Sequence, residues 1–379
     1  MKFFCAVMLV FSLLAGCQTS DEKVSVNSEE DQEETKEKTA GGIEALRDSE
    51  ESASGDGMVE TKEKDDDHEP IDIILTGDVM FEWSLEETIT AHGPHYPFEH
   101  VKKDIKKADY AVANLETAVT DHDVAYKKIY NFKTEPENLD GLIDAGFDFV
   151  SLANNHTMDY KEEGLLDTID ALDASSLDYA GAGENKEEAF APHTVELNGE
   201  TIKLLAFSQV LPSIDWYARE GQPGIASGYQ EERVLNTIEE VEKGADYVLV
   251  YMHWGDENGY VPEEAARNYA EKMVDAGADA IVGAHPHVLQ GFEFFDKKPV
   301  AYSLGNFLFP DYVEGANART GLLNLTLDNG DVSMSFEPWF IENDQIVERG
   351  EEYHVKMLRH LEDHSYGITM KEHSIKSVK

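Results

Sequence analysis

YVLVYMHWGDENGYVPEEAARNYAEKMVDAGADAIVGAHPH, residues 247–287, decides the fold. Tyr247 to Met252 is an apolar run of strand length that stops at His253-Trp254-Gly255. Ala265 to Ala276 has helical periodicity, and Ala280 to Gly283 is a second short apolar run, closed by Ala284-His285-Pro286-His287. Strand, helix and strand in immediate succession predict an α/β architecture.

The same grammar extends upstream. Ile71 to Thr76 is closed by Gly77-Asp78, and Tyr110 to Ala113 runs into Asn114-Leu115-Glu116. Helix-period residues from Leu139 to Ala145 precede Phe147 to Ala153, which ends in Asn154-Asn155-His156, and Leu165 to Leu172 reads as a helix. Asn198-Gly199 between Val195–Leu197 and Ile202–Phe207 predicts a hairpin, and a helix near Val234 to Val241 leads into the central unit. Downstream, Val300 to Leu304 ends in Gly305-Asn306, and Leu322 to Phe336 reads as a hairpin around Asp328-Asn329-Gly330. In the tail, 347–379, Tyr353, Met357 and Leu361 at helical spacing predict a terminal helix docked on the body.

Five apolar strands are thus followed by residues that hold metals or move protons: Asp78, Glu116, Asn155 with His156, His253, then His285 with His287. Loops at the carboxyl ends of strands in α/β sheets converge on one crevice, so these side chains are expected to meet. Each has an ordinary structural reading too: Asp as a helix cap, Asn-Asn as a turn, His253 as a core histidine. Their shared position argues for a site. Carboxylate, amide oxygen and imidazole form a mixed ligand set that suits zinc, manganese or iron better than calcium, and a hydrolytic role. Pro286 stiffens the His285–His287 pair and is expected to set the two rings on opposite sides of a short extended segment.

The remainder of the chain sets the compartment. Phe3 to Ala15 has the length of a signal-peptide apolar region, too short to span a bilayer as a mature helix, and ends in Leu14-Ala15-Gly16-Cys17. That ending predicts a lipoprotein leader over 1–16 and acylation of Cys17, which places the protein on the outer face of a bacterial cell membrane. An ordinary secretory leader with a chance cysteine is the alternative. Cleavage there removes Cys5, the other of two cysteines, so neither a disulfide nor a thiolate metal site follows. Residues 17–69 hold acidic runs such as Glu29-Glu30-Asp31 and Asp65-Asp66-Asp67 without an aromatic residue, a composition expected of a disordered, extended tether. Over all 379 residues, 77 acidic against 31 basic side chains give a net charge of -46, which argues against nucleic acid or an anionic membrane surface as a partner. The surplus runs along the whole chain, as expected of a solvated surface in a saline or alkaline exterior.

Taken in order, Gly77-Asp78-Val79-Met80, Asn114-Leu115-Glu116, Ala153-Asn154-Asn155-His156 with Asp159, His253-Trp254-Gly255, Gly283-Ala284-His285-Pro286-His287 and Tyr302-Ser303-Leu304-Gly305-Asn306-Phe307 resemble the capsule-synthesis proteins of the CapA type, which serve poly-γ-glutamate biosynthesis. The resemblance spans about residues 71 to 345, within a domain read as 70–346. That family resembles the calcineurin-like metallophosphoesterases, which implies a four-layer α/β/β/α sandwich. It further implies that Asn155, His253 and His285, with Glu116 as a bridging carboxylate, hold one ion, that Asp78 and His287 serve another, and that His156 is a general acid. Met80 stands where the pattern has a histidine, leaving the Asp78 position a ligand short, and Asn114-Leu115 replaces the usual Gly-Asp entry. The cofactor implied is one or two divalent transition-metal ions, manganese, zinc or iron. Asn306 has no phosphoesterase counterpart and reads as a turn residue closing a strand.

Three functions are compatible with this reading. The first is a surface lipoprotein of capsular polymer synthesis or export, working with membrane subunits of a capsule synthase or exporter. The second is a stand-alone metallohydrolase acting on a phosphoester or a γ-glutamyl amide. The third is a scaffold with a structural ion. Direct contact with an anionic capsular polymer would need bound cations or high salt, because both partners are acidic.

Overall fold

The structure, a computed structural model, describes residues 69–378. The leader, Cys17 and all but the last residue of the tether lie outside the described residues.

Tyr110–Leu115 and Tyr247–His253 are buried along their whole length, and Ile71–Val79 almost so, leaving them no solvent face. Such segments are central strands, and two sheets are built around them. In the first, Ile71–Val79 runs parallel to Tyr110–Leu115, then Phe149–Ser151, then Asp178–Ala180. Its other side pairs antiparallel with the long hairpin Arg319–Asp328 and Asp331–Glu342. In the second sheet, Glu200–Ser208, Tyr247–His253, Ala280–Ala284 and Lys298–Ala301 are parallel neighbours, closed at the edges by antiparallel His193–Leu197 and Phe292–Phe295.

Strand alternation sorts the layers. Leu204, Ala206, Leu249, Tyr251 and Val282 join one apolar core with Val112, Leu323 and Leu325 of the first sheet. The residues between them, Leu205, Phe207, Val248, Val250 and Ile281, pack instead against Val234, Ile238, Ala270 and Met273 of helices Glu231–Glu242 and Glu264–Asp275. The Tyr251 hydroxyl crosses the inter-sheet core to donate to the Thr76 carbonyl at 2.7 Å. The result is a four-layer α/β/β/α sandwich.

Two features depart from the sequence expectations. Strand Lys298–Ala301 ends earlier than Leu304; the chain turns at Gly305 (φ 63°) and re-enters as strand Asn306–Leu308, now in the first sheet beside Asp78. Asn306 therefore opens a strand and does not close one. After helix Glu351–Asp363, which buries Met357, Leu358 and Leu361, a hairpin of Ile368–Lys371 and Ser374–Ser377 extends the first sheet beyond Asp331–Glu342. Its strands are short and bury little beyond Ile368 and Ile375, so no apolar run marks them in the sequence. Among the described residues no helix is long and apolar enough to cross a membrane.

Candidate metal centre

The carboxyl ends of the two sheets meet, and the loops leaving them carry the site. Asp78 lies one residue before the end of the first strand, in register with Asn114 on one side and Asn306 on the other. Its amide donates to the Gly305 carbonyl at 3.0 Å. This approach requires glycine at position 77, where a Cβ would lie 1.9 Å from the Gly305 oxygen. From the second sheet, His253 ends its strand opposite Ala284, and the loop after Ala284 supplies His285 and His287.

Asp78, Asn114, Glu116 and His253 are each fully buried, which is costly for carboxylates and ring nitrogens unless something satisfies them. Asn114 Nδ2 donates to Asp78 Oδ1 at 2.8 Å and lies 3.3 Å from His253 Nδ1. His253 Nε2 is 2.6 Å from Asn155 Oδ1 and 3.4 Å from Glu116 Oε1. His287 Nδ1 lies 2.8 Å from Asn306 Oδ1, 3.2 Å from Asp78 Oδ2 and 4.0 Å from Glu116 Oε2. Both Glu116 oxygens and His285 Nδ1 are buried without a hydrogen-bond partner. Orphaned acceptors of this kind mark a site built for a cation.

Ligand-capable atoms form two overlapping triads, each within 4.8 Å: Glu116, His285 and His287, and Asp78, Glu116 and His253. Glu116 belongs to both, the place of a bridging carboxylate. Asn155 joins through its contact with His253. His285 takes an intermediate place, its ring centroid 4.8 Å from that of His253 and 5.7 Å from that of His287. The cause is local. His285 and His287 both take positive φ (97° and 56°), so the segment is folded, not extended, and the two rings lie 5.7 Å apart near the same carboxylate. Side chains two residues apart share one face even of an extended segment, so the expectation of rings on opposite sides is overturned by spacing as well as by backbone. Met80 is fully buried with Phe132, Phe309 and Ile341 and supplies no imidazole.

Charge follows this geometry. Burial pushes the Glu116 carboxyl up, but the His287 charge and the close approach of His253 outweigh it and hold the group well below the usual range. Burial also pushes His287 down, yet Glu116 and the hydrogen bond to Asp78 lift it to about 9. His285 is pushed down to about 2 by burial and by the nearby His253, so it is a neutral imidazole ready to ligate.

His156 stands beside this centre. Its Nδ1 bonds Asp159 Oδ2 at 2.7 Å, and Phe132 stacks on the ring with centroids 4.2 Å apart. Asp159 is fully buried, accepts the Phe132 amide at 2.7 Å, and forms an ion pair with Lys128. Lys128 Nζ also donates to the Asn155 carbonyl at 2.5 Å, so one ammonium braces both a metal ligand and the aspartate behind His156. Asn154 is a second brace: its Oδ1 accepts from the His156 and Thr157 amides, and its Nδ2 donates to Asn114 Oδ1. Neither residue is among the sequence candidates. Lys128 sits in a Lys-Lys pair that reads as solvated charge, and Asn154 reads as turn chemistry.

Above the centre opens a cleft of about 490 Å³, lined by Trp83, Tyr130, Phe132, Phe309 and Tyr312, with His156, His287 and Glu257 also facing it. Trp83 meets Tyr130, Phe132 and Tyr312 edge to face, at centroid distances of 6.2, 5.2 and 5.1 Å.

Comparison with known proteins covers the stretch that carries these residues. Residues 72–311 match the family described as bacterial capsule synthesis protein PGA_cap. The chain is 35% identical over 251 residues to the capsule biosynthesis protein CapA of Bacillus anthracis, a match covering 64% of this chain and 61% of that protein. It is 35% identical over 239 residues to the PGA biosynthesis protein CapA of Bacillus subtilis (strain 168), with 62% of each covered. It therefore spans less than two thirds of the length of these curated relatives. Among solved structures, a hypothetical protein from Thermus thermophilus matches with a TM-score of 0.47 at 16% identity, over 71% of this chain and 99% of that one.

Proposed function

Because the chain belongs to the bacterial capsule synthesis protein family PGA_cap, we propose that it is a lipid-anchored component of poly-γ-glutamate capsule synthesis or export on the outer cell surface, carrying a metal-dependent hydrolytic site. The relatives' printed roles support the capsule assignment, and Leu14-Ala15-Gly16-Cys17 supports the anchor. Membrane subunits of the synthase or exporter are its partners. One observation carries the hydrolytic part: an aspartate-oriented histidine, His156, stands beside a cluster of buried donors. A structural ion needs ligands but no proton donor next to them.

Asp78, Glu116, Asn155, His253, His285 and His287 would hold the ion, which is a divalent transition metal by the chemistry of the donors. When bound, it supplies Lewis-acid polarisation of the bond to be broken. The chain supplies the rest. Asn114 fixes Asp78 and Asn306 fixes His287, so the ligands are held in place before the ion arrives. Asp159 commits His156 Nδ1 and leaves the other ring nitrogen to give a proton to the leaving group. Phe132 packs on one face of that ring and restricts water there. A phosphoester or an amide fits this arrangement.

The test is a pair of variants in the capsule-forming cell and in the purified protein. His156→Ala is expected to keep its metal and lose about 10²- to 10⁴-fold on an alkyl phosphoester or γ-glutamyl amide, far more than on a nitrophenyl ester. His253→Ala is expected to lose metal, activity and capsule together. Normal capsule from His156→Ala beside none from His253→Ala would refute the hydrolytic part and leave a scaffold with a structural ion. Turnover by the unaltered protein that falls in both variants while capsule stays normal would instead make it a stand-alone hydrolase. Cys17→Ser is expected to release the protein from the membrane fraction or leave it unprocessed; processing and retention as before would remove the anchor.

A further inference from the structure

The aromatic cleft above the metal centre carries an inference about what lies next to the scissile bond. Trp83 has φ 60°, a backbone region that a bulky side chain occupies only when its surroundings force it there. The forcing groups are visible. Ser84 Oγ and Thr88 Oγ1 both donate to the buried Asp344 carboxylate at 2.6 Å, and the Asp311 amide donates to the same group at 2.8 Å. One aspartate thus fixes the residues next to Trp83 and next to Tyr312, and the two rings are set before any ligand arrives. Yet Trp83, Tyr130 and Tyr312 remain 42%, 60% and 55% exposed, apolar surface held rigidly open to water.

The shape and charge of the cleft select its occupant. The Trp83 ring stands at 82°, 86° and 67° to its three neighbours, so the rings turn π-faces in different directions. A flat base or sugar ring needs one broad face or two parallel ones; a roughly spherical group meets several differently inclined faces at once. No lysine or arginine lines the cleft, and its one carboxylate is Glu257. Among the described residues, the chain's own cations lie over Trp216, Tyr160, Phe190, Tyr366 and Phe340, not over these rings. A purely apolar occupant would give Glu257 no partner, and an anion would find none among the aromatic rings, the basic groups that line the cleft being His156 and His287 on its metal-centre side. We propose that this cleft is a subsite for an alkylammonium group, held by the faces of Trp83, Tyr130 and Tyr312 and by the Glu257 carboxylate. Resting on the hydrolytic reading for its orientation, the inference names the substrate class as one that presents an ammonium close to the anionic or carbonyl group at the ion.

The experiment needs no turnover. Choline and its uncharged carbon isostere, 3,3-dimethylbutan-1-ol, are titrated calorimetrically into the full-length protein. Choline is expected to bind about tenfold or more tightly than the isostere, the scale of a desolvated cation–π contact. Glu257→Gln and Trp83→Gly, the latter chosen because glycine accepts the positive φ, are each expected to weaken choline several-fold with metal content unchanged. Equal binding of the isostere, no choline binding at tens of millimolar, or choline binding untouched in both variants would overturn the proposal. A protein that holds metal but hydrolyses nothing leaves it standing. One that turns over substrate while treating choline and isostere alike overturns the subsite and keeps the hydrolase.

Discussion

Lys128→Met tests whether the acid end of the site is braced as the structure describes. The Lys128 ammonium pairs with Asp159, whose side chain is fully buried, while the lysine side chain is 16% exposed. Removing one partner of a buried ion pair costs about 3–5 kcal/mol, because the remaining charge is left uncompensated. Two features pull this case toward the low end. Asp159 keeps the Phe132 amide and His156 Nδ1, both at 2.7 Å, and the lysine is not wholly dry. The expected loss is therefore about 2–3 kcal/mol, a fall in Tm of roughly 4–12 °C for a chain of this size. Urea unfolding under chelation measures it without an ion's contribution. Asp159→Asn and the double variant complete a cycle, with a coupling of about 2 kcal/mol expected between the two sites. A loss below about 1 kcal/mol, or costs that simply add, would refute the brace. In metal-loaded protein Lys128→Met is also expected to weaken metal binding, since the Asn155 carbonyl loses its donor.

Other perturbations probe the centre itself. Glu116→Gln removes the carboxylate shared by both ligand triads and is expected to lower bound metal to well under half, read by elemental analysis; full occupancy would show that the shared position is not a ligand. Because Glu116 and Asp78 lift His287 to about 9, that ring carries a proton near neutrality which an ion must displace. Metal uptake there is expected to release close to one proton, with affinity climbing as pH rises toward about 9 and levelling above it; calorimetry in buffers of different ionisation heat counts that proton. In the ion-free protein the same raised value stabilises the fold fully below 6.5 and is lost as pH rises through about 9. Gly77→Ala drives a methyl to 1.9 Å from the Gly305 carbonyl, where two strands adjoin, and is expected to yield insoluble or strongly destabilised protein. Gly244→Ala, whose nearest neighbour is the end of Lys203, is the tolerated control, and equal behaviour of the two would contradict the close approach.

The sequence by itself determined the strands and where the chemistry leaves them. Runs such as Tyr247–Met252 are apolar on both faces, as a central strand of a covered sheet requires, and their alternation with helix-period stretches gave the α/β class. Asp78 and His253 sit at the ends of strands, Glu116, Asn155 and His285 follow within a few residues of one, and strand direction brings them all to one crevice. What periodicity does not encode is how the backbone turns after each strand ends. Positive φ at His285 and His287 put two rings on one carboxylate. The crossing at Gly305 carried Asn306 to the other sheet, where it bonds His287. Lys128, Asp344 and the cleft around Trp83 belonged to tertiary structure alone. Their partners stand far off in sequence: Asn155 and Asp159 for Lys128, Ser84 and Asp311 for Asp344, Tyr312 for Trp83. A lone lysine, aspartate or tryptophan reads as surface until the fold shows what it touches, since burial and pairing are properties of the packed chain and not of the residue.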